Sequence, residues 1–287
     1  MRAFQMSSEQ SPPDVAILPG RAGQARLAFE RVGKRTIVSR ARAKSPVRLL
    51  TPRNHGHAAW VYTSLLGDGL VDGDHLTMDL DVAEGASALL SSRGHTRVYR
   101  SPHGCRSEVV ARVGEGALLA WVPDPTTCYT GARYEQRLDI QLAPGASLVL
   151  MELVTTGRKA TGERWTFSRF SSALRVHREG RALFDECWLL DPAQGAISER
   201  LGRFDAIGTV LLVGPACASA RESLASGLGA LPITPRAGLV CSASPLGPDG
   251  LVLRAAAVSP ELLQHSALDW LSFLPPMLGD NPWAHHG

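Results

Sequence analysis

Gly157 and Gly162 stand five apart in "LVTTGRKATGERW" (153–165), which is the glycine spacing of a nucleotide phosphate loop. Such a loop needs Lys and then Ser or Thr after its second glycine, where a strand turns into a helix. Here Glu163 and Arg164 hold those places, so a carboxylate would face the phosphates and no hydroxyl would hold Mg²⁺. Downstream, Trp165 and Phe167, then Leu174 and Val176, fall at alternate positions, which is the period of a strand. The segment therefore reads as a turn joining two strands.

Other reactive arrangements are few. Neither Gly-x-Ser-x-Gly nor His-Glu-x-x-His occurs, which removes the usual serine and zinc hydrolase signatures. Glu152 and Glu163, eleven apart across the turn, could face each other as the paired carboxylates of a glycosidase, so a β-helical carbohydrate-active enzyme is one alternative. The low aromatic share, 6%, offers little for stacking on sugar rings and argues against it. His55 and His57 would point to one side of a strand, and His285 and His286 are adjacent in "WAHHG"; either pair could take a metal weakly. The five cysteines, Cys105, Cys128, Cys187, Cys217 and Cys241, are odd in number and form no Cys-x-x-Cys, so they support neither a disulfide framework nor a structural zinc.

The elements that carry these residues repeat. A strand, a Gly turn and a second strand recur around Gly85, Gly116, Gly145 and, more loosely, Gly180, at intervals of 31, 29 and 35 residues. Recurrence at this period predicts stacked units that cover one another's apolar faces. The expected fold is mainly β: an irregular β-helix or layered sandwich of stacked strand pairs, with two C-terminal α-helices. The expected organisation is a disordered leader (1–20), a β-rich body (21–205) and a C-terminal αβ extension (206–287) packed on it. In that extension 218–228 reads as a helix and 238–258 as a hairpin. Ser259-Pro260-Glu261 caps a second helix whose apolar face, Leu263, Ala267, Leu271 and Leu274, could also meet a partner.

At 287 residues, 44% hydrophobic and 20% charged, the chain is of ordinary globular composition. The longest apolar stretch, 207–220, is too short to span a bilayer, and the N-terminus lacks a secretion signal's apolar core, so a cytoplasmic protein is expected. The net charge is only +3, yet Arg21 to Arg53 hold ten Lys or Arg against one acid, Glu30. Without interleaved aromatics this stretch fits an acidic protein partner better than nucleic acid.

Polar residues recur beside the turns, and a bare turn has no need of a Tyr between two arginines, as in "TRVYRS" (96–101). In order along the chain, four such segments resemble the urease accessory proteins called UreD or UreH. "DGLVDGD" is similar to that family's Gly-Gly-Leu-Val-Gly-Gly-Asp at Gly69, Gly73 and Asp74. "HTRVYRS" resembles its Thr-Lys-x-Tyr-Arg-Ser at Thr96, Tyr99, Arg100 and Ser101, with Arg97 for Lys. "AWVPDPTTCYTGA" resembles its third motif at Trp121, Pro123, Gly131 and Ala132. "MELVTTGRKATGERW" resembles the fourth at Glu152, Gly157, Arg158, Ala160, Gly162 and Glu163. Ala120, Asp124 and Asp72 depart from the pattern, standing where the family has Glu, Gln and Gly.

The resemblance implies a non-enzymatic chaperone on a β-rich fold. Its partners would be apo-urease, a helical accessory protein and a nickel-binding GTPase, with no nucleic acid and no membrane. Nickel would be a passenger, with no cofactor tightly bound, because loose carboxylate, carbonyl and water ligands suit transit better than His and Cys clusters. The binding or conduit candidates it implies are Gly73, Asp74, Thr96, Arg97, Tyr99, Asp124, Glu152, Arg158, Gly162 and Glu163, with Asp74 and Glu163 as transient nickel ligands. A purely structural scaffold is the remaining alternative.

Overall fold

The computed structural model describes residues 20–232 and 234–284; the expected leader up to residue 19 and His285–His286 lie outside the described residues. The strands are β1 (Ala22–Val32), β2 (Arg35–Lys44), β3 (Val47–Leu50), β4 (Ala59–Leu65), β5 (His75–Val82), β6 (Ser87–Ser92) and β7 (Thr96–Val98). They continue with β8 (Cys105–Val113), β9 (Leu118–Trp121), β10 (Thr126–Cys128), β11 (Arg133–Leu142), β12 (Ser147–Thr155), β13 (Arg169–Arg178) and β14 (Arg181–Leu190). After a short helix α1 (Ile197–Arg200) come β15 (Ala206–Val213), α2 (Ala218–Gly229), β16 (Leu239–Leu246), β17 (Gly250–Ala257), α3 (Pro260–Trp270) and α4 (Leu274–Leu278).

Two sheets face each other. The seven-stranded sheet runs β14-β13-β11-β8-β5-β1-β2, and the larger one contains β16-β17-β15-β12-β9-β6-β4-β3 in that order, with β10 and β7 attached beside β12. The mainly β, layered fold read from the repeats is the fold observed, but three of the four repeated units are not hairpins. β5 and β6, β8 and β9, and β11 and β12 lie in opposite sheets, so each Gly turn carries the chain across the sandwich. Each strand instead pairs in parallel with its counterpart one repeat away: Met78 with Val109, and Val109 with Leu138. The repeat interval is thus the register of the sheet.

The turns explain the crossing. Gly85, Gly116 and Gly145 sit at φ of 63°, 61° and 69°, which glycine adopts at least cost. The backbone groups a hairpin would use are bonded to the neighbouring turn, as in Gly114 N–H to Val82 O and Leu118 N–H to Ala86 O. Only the Gly180 unit is a true hairpin, with Arg178 opposite Arg181.

Between the sheets Leu27, Phe29, Leu80, Leu119, Ile140, Leu148 and Val176 form one apolar core. At the start of the strands a second cluster gathers Leu70, Val98, Phe167 and Phe170. A third lies on the far side of the larger sheet, where Leu263, Ala267, Leu271 and Leu274 are buried against Val149, Met151 and Leu253. The expected helices are present, and Ser259 Oγ accepts the Leu262 N–H as their cap predicts. Their apolar face packs on the protein's own sheet, so Leu263, Ala267, Leu271 and Leu274 are taken up within the fold and do not form the partner surface they could also have offered. β15, β17 and β16 hydrogen-bond into the larger sheet next to β12, so the C-terminal segment extends the body's sheet as well as packing on it.

Candidate functional site

Along β12 the residues facing the other sheet alternate as Leu148, Leu150, Glu152 and Val154, so a carboxylate occupies a place the pattern reserves for an apolar side chain. Register sets similar interruptions beside it. On the seven-stranded sheet Ser107, Gln136 and Ser172 are aligned on β8, β11 and β13; on the larger sheet Glu152, Thr209 and Arg254 are aligned on β12, β15 and β17. A polar layer thereby divides the inter-sheet core from the apolar cluster at the strand starts.

A cavity of about 320 Å³ borders this layer. Its lining includes Glu152, Gln136, Ser107, Asp124, Thr96 and Arg97. Glu152 is enclosed by protein yet keeps part of its surface on the cavity. Gln136 Nε2 donates to Glu152 Oε1 at 2.5 Å and lies 3.1 Å from Ser172 Oγ. Burial pushes the Glu152 carboxyl up to about 7; Ser172 and Gln136 oppose the rise by hydrogen bonding, and the charge of Glu186 adds to it. Glu186 is in turn held by Arg254 Nε at 3.0 Å. Also on the lining, Asp124 accepts the Gly94 N–H at 2.8 Å, while its own N–H goes to Ser92 Oγ, so it caps the 92–95 turn. Among the described residues no group of three or more His, Cys, Asp or Glu side chains is placed to hold a metal ion.

The other sequence-derived candidates occupy different places. Asp74 is 1% exposed and engaged on both oxygens: Arg21 N–H donates at 2.8 Å and Val71 N–H at 2.9 Å, and the Arg21 guanidinium grips the carboxylate. Burial works to raise its pKa, but these donors outweigh it and hold Asp74 below the usual carboxylate range. Gly73, at φ 78°, turns the chain there and bonds Gly104 O. Thr96 and Arg97 pair with Thr126 and Thr127 on the short β10. Tyr99 meets Tyr129 edge to face at 5.3 Å, and Arg158 lies over the Tyr129 ring at 4.6 Å.

The 157–164 loop does join two strands, β12 and β13. Its glycines differ in role: Gly162 has φ 80° with open space around it, whereas a Cβ on Gly157 would come within 2.8 Å of Glu163 O. Glu163 binds Arg158, whose Nη2 is 2.5 Å from Oε1, and that contact holds its carboxyl below the usual range. Glu152 and Glu163 thus take different partners, one between the sheets and one on the loop, and no glycosidase pair is formed. His55 and His57 lie on a bend, not on the strand expected for them; the His55 N–H caps Asp280 Oδ2 at 2.8 Å.

Several structural partners were out of reach of sequence motifs. Asp205, 1% exposed, receives Lys159 Nζ at 2.7 Å and Arg164 Nε at 2.6 Å and so anchors the loop from 46 and 41 positions away. The departures also find places. Asp72 accepts the His103 N–H at 2.8 Å, and Ala120 is wholly buried between Leu89 and Val149 on the helix-covered side, outside the cavity lining.

Comparison with known proteins agrees with this architecture of motifs. The chain matches the family described as UreD urease accessory protein over residues 21–284. It is 48% identical over 265 residues to a urease accessory protein UreD from Sorangium cellulosum (strain So ce56), covering 92% of this chain and 84% of that one. It is 30% identical to urease accessory protein D of Arabidopsis thaliana, covering 90% and 99% of the two chains. The motifs, the layered β fold and these likenesses together make the chain a member of the UreD family of urease accessory proteins.

Proposed function

We infer that this protein assists urease maturation by binding apo-urease together with a helical accessory protein and a nickel-binding GTPase, and that Ni²⁺ passes through the cavity between the sheets. The observation that carries the reading is Glu152, a buried carboxylate set on a cavity wall in the polar layer between the sheets. With its pKa at about 7, Glu152 is partly protonated near neutrality, so an arriving cation must displace a proton and is held loosely. Gln136 and Ser172 orient the carboxylate, and Asp124 adds a second oxygen donor on the cavity lining. Loose binding is what transit requires, since a His or Cys cage would retain nickel. Asp74 and Glu163, each engaged by an arginine, serve in this reading as anchors of the loops around the route. The protein itself performs no bond chemistry.

Co-expression of urease and its accessory proteins with the Glu152→Gln variant tests the reading. Assembly of the complex should persist, because the amide keeps the size of the carboxyl, while urease activation falls several-fold. Full activation by the variant would remove the conduit role.

A further inference from the structure

On the outer surface of the seven-stranded sheet is an open pocket of about 440 Å³ whose lining includes Gly73 and Asp74 of the first motif. The charged groups that line it are Arg106, Arg133 and Arg169 on one side of the balance and Asp74 and Glu135 on the other, with the imidazoles of His75 and His103 beside them. Both acids are already taken: Asp74 by Arg21, and Glu135 by Arg106 and Arg137. Arg133 and Arg169 are register partners on the parallel strands β11 and β13, both exposed, and among the described residues neither has a carboxylate partner. Like charges side by side on a sheet repel, so the arrangement carries a cost that an anion would relieve.

The site is also built. Ser101, fully buried, accepts the Arg133 N–H at 2.8 Å and donates to Arg133 O at 3.1 Å, and its own N–H bonds Gly131 O. The Arg100 side chain runs beside Gly131, where a Cβ would lie 3.0 Å from its Cγ. The Tyr-Arg-Ser and Tyr-Thr-Gly-Ala segments therefore hold Arg100 and Arg133 in place, which gives the Tyr-Arg-Ser motif a role the cavity does not.

We propose that this pocket docks an acidic segment of a protein partner, with carboxylates bridging the Arg133 and Arg169 guanidiniums. Paired planar forks suit carboxylates through two-pronged hydrogen bonds. A chain segment fits better than a small ion because Arg100, also exposed, adjoins the Ser101 that bonds Arg133 and offers a further cation outside the pocket. The basic edge strand β2 differs, since its exposed Arg40, Arg42 and Lys44 line neither this pocket nor the cavity between the sheets. The pocket lies on the outside of the sheet, so its test stands apart from that of the conduit.

The probe is a fluorescein-labelled hexaglutamate peptide, with its binding to the full chain followed by fluorescence anisotropy at about 0.05 M and about 0.3 M NaCl. The wild type should bind at low salt and weaken at high salt. Arg133→Ala with Arg169→Ala should weaken binding about tenfold or more, with an unchanged melting temperature because both side chains are exposed. Arg40→Ala with Arg42→Ala should leave affinity within about twofold. Absence of wild-type binding, equal affinity of the two double variants, or displacement of the peptide by millimolar inorganic phosphate would each overturn the proposal, the last by showing a small-anion site.

Discussion

Glu152 ties stability to pH in a direction that can be checked. Its folded pKa of about 7 lies above the ordinary 4.5, so its contribution is most favourable below pH 4.5 and is lost as the pH rises through about 7. The interval corresponds to up to about 3 kcal/mol. Glu152→Gln, which has no such titration, should therefore gain on the wild type between pH 5 and pH 8 in denaturant melts; a constant difference across that range would contradict the burial argument. Asp74 behaves in the opposite sense, its stabilising effect being present above about pH 4 and lost on acidification. Asp74→Asn should cost about 2 kcal/mol at neutral pH, less than a wholly buried pair because Arg21 is one-third exposed. Part of this was legible in the sequence: Glu152 interrupts the inward alternation of β12 in plain view. Gln136 and Ser172 were not, because only register brings three strands' polar residues together, and Arg21 lies 53 positions from the Asp74 it neutralises.

Among the elements, the 157–164 loop separates two reasons for a glycine. Gly162→Ala meets only the cost of a positive φ, about 1 kcal/mol. Gly157→Ala must also push back the Glu163 carbonyl and should cost more, about 2 kcal/mol or above. Thermal melts of the two variants check the order, and a reversed order would mean that the loop closes differently. The helices supply a further test: Leu263 is wholly buried beneath the larger sheet, so Leu263→Ala should destabilise the whole protein by about 2–5 kcal/mol in chemical denaturation. The repeated units show where sequence reading stops. Strand, glycine turn and strand look alike locally whether the second strand folds back or crosses to another sheet. What distinguishes them is the 31- and 29-residue spacing acting as parallel register, and that becomes visible only when the neighbouring turns are bonded to each other.

For the whole molecule, the two sheets have unlike duties. The larger one carries its helices on the outside, while the smaller has the Arg133 and Arg169 pocket on its outer face at the strand starts. Between them lies the cavity on which the proposed nickel route depends. Leu138, half-buried on β11, lines that cavity, and Leu138→Trp would narrow it without touching a hydrogen bond of the polar layer. The decisive measurement is the nickel content of urease purified after co-expression with this variant, once the accessory complex is shown to assemble and to melt like the wild type. The account predicts urease with several-fold less nickel than the wild-type protein yields; full nickel loading past a narrowed cavity would contradict it.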